Sequence, residues 1–494
     1  MATYQSVLSR IAGGSIFGFV RPPSSKAPVA DKRRRGIAAT LEEGIYSQIW
    51  LTLTGGKFLV DLALLFGATA FHLGLINALP FLAATSQLLG AYMVSRIGSR
   101  KRVMIPTAFI TRQIFWFILI LIALPIERSQ KLWLFILLLA VSSIMGQMGG
   151  NTWLSWISDL IPDQLRGRVI SLRNGVLIIV ALGADFIFSR IREGFGEDRR
   201  EAYLMLCLGV AAFFGLKSIF VFKNQWEPPY RPAPIPSLRE ILRKSFAVPA
   251  IRQLLFALAL WNAAVGVAIS FWTPHMIVNL KMSFTSIFFY TLIATVFSFF
   301  MSRFIWGPVI DRAGTLTVVI FCSAMISAIP IFWLFITADD LTVLWFEAVM
   351  NGLVWSGFNI AIFNLPFRLL PRENRAYFFA ILASISGLAL GVGAIAGGII
   401  AQNLESMHVE IFGVTYINYH VTFVLSAIMR ACCVFVLRKI PDTHRRGMIF
   451  MFQVIGDGLV RIMTNPLLIL VSGAPAIRKR KKAFGGVKGV KPQR

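Results

Sequence analysis

The chain is poor in charge and poorer still in acid. Of its 494 residues only 15% are charged, and 23 Asp and Glu face 49 Lys and Arg. A water-soluble chain of this length would form roughly three domains, each with its own polar surface; too few charges are present to make them. Cys207, Cys322, Cys432 and Cys433 fall in apolar stretches without metal-ligand spacing, and the five histidines are scattered, so no metal site is expected. A Gly-x-x-x-x-Gly-Lys-Ser/Thr phosphate loop is missing, which argues against direct ATP hydrolysis. Met1 to Ser25 lacks an unbroken apolar core followed by a small-residue cleavage site, so the N-terminus is expected to escape secretory processing. No cofactor and no enzymatic chemistry are implied.

What the chain does have is apolar sequence: 56% of residues are hydrophobic and the mean hydropathy is +0.70. Long apolar runs alternate with short polar ones, each meeting the ~20 residues needed to cross ~30 Å of hydrocarbon as a helix. Twelve spans are predicted, at about 45–66, 72–94, 103–125, 132–157, 169–189, 202–222, 251–273, 284–306, 315–337, 341–367, 376–402 and 417–437. The expected fold class is an all-α membrane protein.

A net charge of +26 raises the question of nucleic acid, and position answers it. With the first span starting inside, cytoplasmic segments hold 37 Lys and Arg and the opposite loops hold seven. By the positive-inside rule both termini lie in the cytoplasm, and the basic charge is a topology signal. A multi-pass protein of a cell membrane, most simply a bacterial inner membrane, is expected.

The longest polar interruption, Lys223–Arg252, carries Pro228, Pro229, Pro232, Pro234 and Pro236, which cannot propagate helix. It divides the chain into a basic cytoplasmic segment (1–44), a six-helix bundle (45–222), a central loop (223–250), a second six-helix bundle (251–438) and a basic tail (439–494). Leu238–Phe246 reads as a short surface helix or a solvated linker. Met448–Val471 reads as an interfacial helix near anionic lipid, because a thirteenth span would carry Arg478–Lys482 outside.

The two halves repeat their punctuation. Ser95-Arg96-Ile97-Gly98 follows the second span and Asp311-Arg312-Ala313-Gly314 the eighth; Ile161-Pro162 with Arg166 follows the fourth and Leu370-Pro371 with Arg375 the tenth. The offsets, 216 and 209, indicate an internal duplication. Gly307-Pro308-Val309-Ile310-Asp311-Arg312-Ala313-Gly314 resembles the loop of the major facilitator superfamily, Gly-x-x-x-Asp-Arg/Lys-x-Gly, at every fixed position. The first-half copy departs, with Ser95 for the acid and Ala91 for the first Gly. The resemblance, over roughly residues 44–440, implies two pseudo-symmetric six-helix bundles and a secondary transporter working by alternating access. It also implies a gating latch at Arg96, Gly98, Arg166, Arg168, Gly307, Asp311, Arg312, Gly314 and Arg375.

Charges inside the spans cost roughly 2.5–3.5 kcal/mol each near the bilayer centre on insertion scales and are not expected to face lipid. Lys57 and Asp61 are four residues apart, close enough on one helix face to form an ion pair. Arg112 sits mid-depth in the third span, Asp185 in the outer part of the fifth, where it reads as a loop-end charge, and Glu347 in the outer part of the tenth. Lys217 and Arg430 lie nearer the cytoplasmic ends and are expected to snorkel. In the resembling family the first, fourth, seventh and tenth helices line a central cavity, which would gather Lys57, Asp61, Asn262, Glu347 and Asn351 with Trp261, Trp272 and Trp355 as walls, and Asn151 and His275 nearer its ends. Arg112 is a further candidate for meeting an anionic group, or a packing brace. The expected partners are a small solute, protons through Asp61 or Glu347, and membrane lipids, with the monomer as the functional unit. A lipid flippase on the same fold and a non-transporting membrane scaffold are the alternatives. The glycines of the eleventh span, Gly387, Gly391, Gly393, Gly397 and Gly398, read as a close helix-packing surface.

Overall fold

In hydrocarbon no water satisfies backbone amides, so apolar runs close their hydrogen bonds internally as helices. A computed structural model describes residues 28–230, 243, 246, 249–369, 375–411, 414–440 and 447–464. Twelve helical segments are long and apolar enough to cross a membrane. They are α1 (Val29–Leu65), α2 (Ala70–Ile97), α3 (Arg100–Ala123), α4 (Arg128–Leu160), α5 (Asp163–Gly194), α6 (Glu197–Asn224), α7 (Pro249–Asn279), α8 (Phe284–Ala313), α9 (Thr315–Phe332), α10 (Thr342–Leu369), α11 (Arg375–Asn403) and α12 (Asn418–Arg438). A further helix, α13 (Met448–Thr464), follows. A two-stranded antiparallel hairpin, β1 (His408–Ile411) with β2 (Val414–Ile417), joins α11 to α12; hydropathy gave no sign of it. Large apolar side chains such as Ile179, Phe299 and Phe435 project outward, more than half exposed, as lipid-facing positions should.

The first helix starts at Val29 rather than near 45. Its early turns carry charge, which hides them from a hydropathy window, yet Gly36, Ala39, Thr40, Glu43 and Gly44 form a buried face against α6 and α5. The Leu238–Phe246 surface helix and the basic run Arg478–Lys482 lie outside the described residues, apart from Arg243 and Phe246, which are helical. The tail helix α13 buries Met451 and Val454 and packs on the Gly307–Ala313 end of α8.

Each half has its own core. In the first, Leu53, Phe135, Tyr203 and Leu204 cluster; in the second, Trp261, Leu316, Phe358 and Phe378. The halves meet where α2 packs on α11 and α5 on α8. The α11 glycines make the approach to α2 close, and within the second half that to α7 as well, as expected of small residues at membrane helix seams. A Cβ on Gly393 or Gly397 would overlap the carbonyl oxygens of Ala263 and Val267 in α7, and Gly398 lies against Gly74 of α2.

Two helices are interrupted at corresponding depths. In α1, Thr54 hydroxyl bonds back to the Trp50 carbonyl, Gly55 is extended and Gly56 turns into the left-handed region at φ 52° before helix resumes; only glycine takes that turn without strain. In α7 the helix ends at Ile269, turns through Ser270 and Phe271, and continues through Trp272–Pro274 into a wide turn over His275–Asn279. Gly55 and Phe271 are 216 residues apart, the offset of the loop repeat.

The first bundle also holds a buried ionic knot. Arg112, 7% exposed, bonds to Glu43 at 3.0 Å, Ser47 at 2.8 Å and the Ser218 hydroxyl; Glu43, 2% exposed, also takes Arg173 at 3.5 Å. Arg112 thus braces α3 against α1 and α6 through Glu43, Ser47 and Ser218. Removing one member of a buried pair leaves an uncompensated charge, costing roughly 3 kcal/mol or more. Glu43→Leu is therefore expected to lower the thermal midpoint of the detergent-purified protein by several degrees, with Glu43→Leu/Arg112→Met recovering most of it; an unchanged midpoint in the single variant contradicts the knot. Gly393→Val, which drives a side chain into the Ala263 carbonyl, is expected to destabilise by about 1–3 kcal/mol, read in the same melting assay.

Candidate functional site

A cavity of about 1010 Å³ lies between the halves. Both broken helices line it: α1 through Gly55, Gly56 and Lys57, α7 through Trp261, Asn262 and Trp272. From α10 come Glu347, Asn351 and Trp355, and from α5 Asp185. The expected contribution of the fourth helix is not seen: no α4 residue borders the cavity, and its place is taken by α5, α8, α11 and α12. Asn151, expected near one end, instead bonds to the Gln87 carbonyl at 3.2 Å.

Lys57 follows directly on the Gly55-Gly56 turn, which sets its side chain against the second half. Its ammonium bonds to Asp185 at 2.8 Å and to the Phe284 carbonyl at 2.9 Å. The expected Lys57–Asp61 pair does not form. Asp61 is 2% exposed and lies away from the cavity, held by Arg200 at 2.6 Å with Arg192 at 3.8 Å. The sequence counted those two arginines as loop charges, but Arg192 lies in the last turn of α5 and Arg200 in the first turns of α6. Four-residue spacing permits an ion pair, but forked guanidinium donors reach a carboxylate in better geometry than a neighbouring ammonium does. Asp185 is correspondingly not a loop-end charge; it is the counter-ion of Lys57. Arg112 lies in the knot described above, outside the cavity lining.

Glu347 is fully buried. Its Oε1 accepts from Asn351 Nδ2 at 3.0 Å, and Asn351 also donates to the Tyr290 hydroxyl at 3.2 Å. Glu347 Oε2 has no hydrogen-bond partner, and no cation lies within ion-pair distance of Glu347 among the described residues. Asn262 turns its amide to the Leu258 carbonyl at 2.7 Å. Trp261 stacks on Phe358 at 4.8 Å and meets Trp355 edge-on at 6.3 Å. His275 is buried beside this region, packed on Trp333 at 6.0 Å and His420 at 5.1 Å, with neither ring nitrogen bonded.

Arg430 is the residue that sequence reading passed over. Eight residues from the end of α12, it was taken to snorkel. It is in fact 2% exposed and borders the cavity. A signal was present: Ser426, Ala427, Cys433 and Val434, at i−4, i−3, i+3 and i+4, are all small or apolar and all buried, the periodicity of an inward face.

The halves touch chiefly at the end away from the termini. Besides Lys57 to Phe284, Phe58 meets Phe284 at 5.8 Å, Phe186 meets Phe288 at 5.1 Å, and the Phe71 amide bonds to Gln402 at 3.5 Å. Toward the termini the cavity reaches Phe363 and Phe379. The two loop motifs there differ in engagement. Gly98 and Gly314 both adopt positive φ, 71° and 95°, as repeated motifs should. In the first copy Arg96 bonds to Tyr92 at 2.9 Å, Arg100 pairs with Asp159, and Ser99 and the Arg100 amide bond to Glu227. Arg166 pairs with Asp163 at 2.6 Å and Arg168 is exposed. In the second copy Asp311 and Arg312 are exposed and pair with no described residue, and Gly307 has open space beside it. The side chain of Arg375 is outside the described residues.

Residues 49–364 and 290–474 match the Major Facilitator Superfamily. No curated protein matches the chain. Among solved structures it is similar to a mutant form of the nucleoside transporter NupG (TM-score 0.61, 15% identity, covering 82% of this chain and 100% of that one). It is also similar to a bacterial homologue of the iron transporter ferroportin in an inward-facing state (0.59, 14%, 82% and 98%) and to the xylose transporter XylE from E. coli in an inward-open conformation (0.57, 13%, 84% and 98%). At such identities the likeness shows the fold alone. The family match, with twelve membrane-length helices in two repeated halves, makes this chain a multi-pass membrane transporter rather than an enzyme, and a member of the major facilitator superfamily.

Proposed function

We propose that the protein moves a small solute by alternating access, coupled to protons through Glu347, as a monomer in a bacterial inner membrane with both termini cytoplasmic. The observation that carries this reading is the cavity itself. It lies between the halves, is bounded by the two interrupted helices, and receives charge from both bundles. Interrupted helices at matching positions of two repeats mark transporter binding sites because they bring backbone groups and helix ends to the solute. A hollow centre also speaks against the non-transporting scaffold, which has no need of a cavity between its halves.

The contacts clustered away from the termini make this an inward-facing arrangement in the proposed orientation. Lys57 is the gate residue in this reading. Its bonds to Asp185 and the Phe284 carbonyl tie α1, α5 and α8 together, and the Phe284 bond, which crosses between the halves, would part when the outer side opens. Asp311 and Arg312, which pair with no described residue, would close the opposite side. Glu347 takes the proton-coupling role and Asp61 leaves it, since two arginines already hold Asp61 outside the cavity. Protonation of Glu347 would remove a charge that has no basic partner nearby and so bias the two states differently.

In proteoliposomes with an imposed pH gradient, the native protein is expected to accumulate solute found in an uptake screen, and Glu347→Gln to lose accumulation by about tenfold while retaining solute counterflow. Accumulation at the native level in that variant removes Glu347 from the role. Lys57→Ala, in a chain stripped of cysteine and carrying Thr285→Cys, is expected to raise labelling by an impermeant thiol reagent from the outer face; unchanged labelling contradicts the gate.

A further inference from the structure

Four charged side chains border the cavity: Lys57, Asp185, Glu347 and Arg430. Lys57 and Asp185 neutralise each other at 2.8 Å. The other two pair with no oppositely charged group among the described residues. Arg430 is 2% exposed, its Nε makes no hydrogen bond, and no carboxylate among the described residues lies within ion-pair distance of it. One turn away, Ser426 donates to the Ala264 carbonyl at 2.6 Å, which sets Arg430 against α7 near the turn holding Trp261. A buried guanidinium without a counter-ion is costly and persists where a ligand supplies the missing charge. Its planar fork fits a carboxylate or phosphate oxygen pair, and Trp355, half-buried at the cavity wall and backed edge-on by Trp261, offers an apolar body an aromatic surface.

We propose that the transported solute is an organic monoanion whose oxyanion pairs with Arg430 and whose apolar body lies against Trp355, and that it crosses together with one proton carried on Glu347. This rests on the transport reading above and adds the substrate class. Charge balance within the cavity supplies the coupling. Empty, with Glu347 ionised, the four side chains sum to zero. Loaded with one anion and one proton, they again sum to zero. Anion alone leaves one negative charge and proton alone leaves one positive charge, and an occluded cavity at bilayer depth penalises both. Only the empty and the doubly loaded forms reorient freely, so anion and proton move together without net charge transfer. The groups facing Glu347 do not upset this balance: Asn351 on its own helix, the Tyr290 hydroxyl from α8 and Trp333 beyond α9 are neutral. His275 packs on the same Trp333 from α7. Facing Arg430 from its own helix is Cys433.

The purified full chain in nanodiscs tests this with three probes: 1-naphthoate, the monoanionic diester methyl 1-naphthyl phosphate and the uncharged 1-naphthylmethanol, followed by quenching of tryptophan fluorescence. At least one anion is expected to bind about tenfold more tightly than the alcohol, and the two anions distinguish a carboxylate from a phosphate solute. Arg430→Gln is expected to erase that preference and Arg430→Lys to keep part of it. Thermal melting of both variants separates lost binding from lost fold. With a pH indicator in weak buffer, binding of the preferred anion is expected to take up about one proton in the native protein and none in Glu347→Gln. Equal binding of alcohol and anion, no binding of either anion, or an anion preference unchanged in folded Arg430→Gln overturns the anion site; anion binding without proton uptake overturns the coupled pair. Solute uptake by proteoliposomes is read separately, so intact uptake with no anion preference removes this inference alone, and absent uptake removes the transport reading.

Discussion

An ionised side chain inside a bilayer must find a counter-charge, water or a ligand, because hydrocarbon offers none. Nearly every distinctive feature of this molecule follows from how its few intramembrane charges meet that demand. Arg112, Glu43 and Arg173 answer one another in a knot inside the first bundle. Asp61 is answered by Arg200 and Arg192 at the loop side of the same bundle. Lys57 and Asp185 answer each other at the cavity wall. Glu347 and Arg430 are left over, and both border the space between the halves. The charges thus sort into those that hold a bundle together and those that await something from outside the chain.

The backbone makes that sorting effective. Breaks in α1 and α7, one at a left-handed glycine, place Lys57 and the Trp261–Trp272 face on the same cavity. The glycines of α11 allow α2 and α7 to approach on either side of one helix, so the two rigid bundles share a thin seam. Interfaces built of small side chains can slide or tilt without dismantling a core, and each bundle keeps its own apolar cluster whichever way they lean.

Much of this was legible in the sequence, and the reasons for the rest are physical. Hydropathy located twelve spans because lipid permits one solution for a long apolar run. It missed the start of α1 because Gly36 to Gly44 bury small and ion-paired residues in place of large apolar ones. The duplicated loop was readable from Gly98 and Gly314, whose positive φ is a demand only glycine meets cheaply. Pairing was not readable: Lys57 and Asp61 have the right spacing, but each found a partner more than a hundred residues distant, and no local rule ranks such contacts. Arg430 was misjudged because its distance from the helix end permits snorkelling, while the small buried residues on its own face argue otherwise. Glu347, Asn351 and Trp355 all border the cavity, because a four-residue period within one helix survives folding unchanged.

The central claim is that water and solute reach these unanswered charges from one side of the membrane and then from the other. The most direct measurement is the reactivity of Asn351→Cys, in an otherwise cysteine-free chain, toward a membrane-impermeant thiol reagent applied to right-side-out and inside-out vesicles. Labelling from both faces, slowed by solute, is the expected result. Labelling from neither face would mean a sealed interior and no carrier.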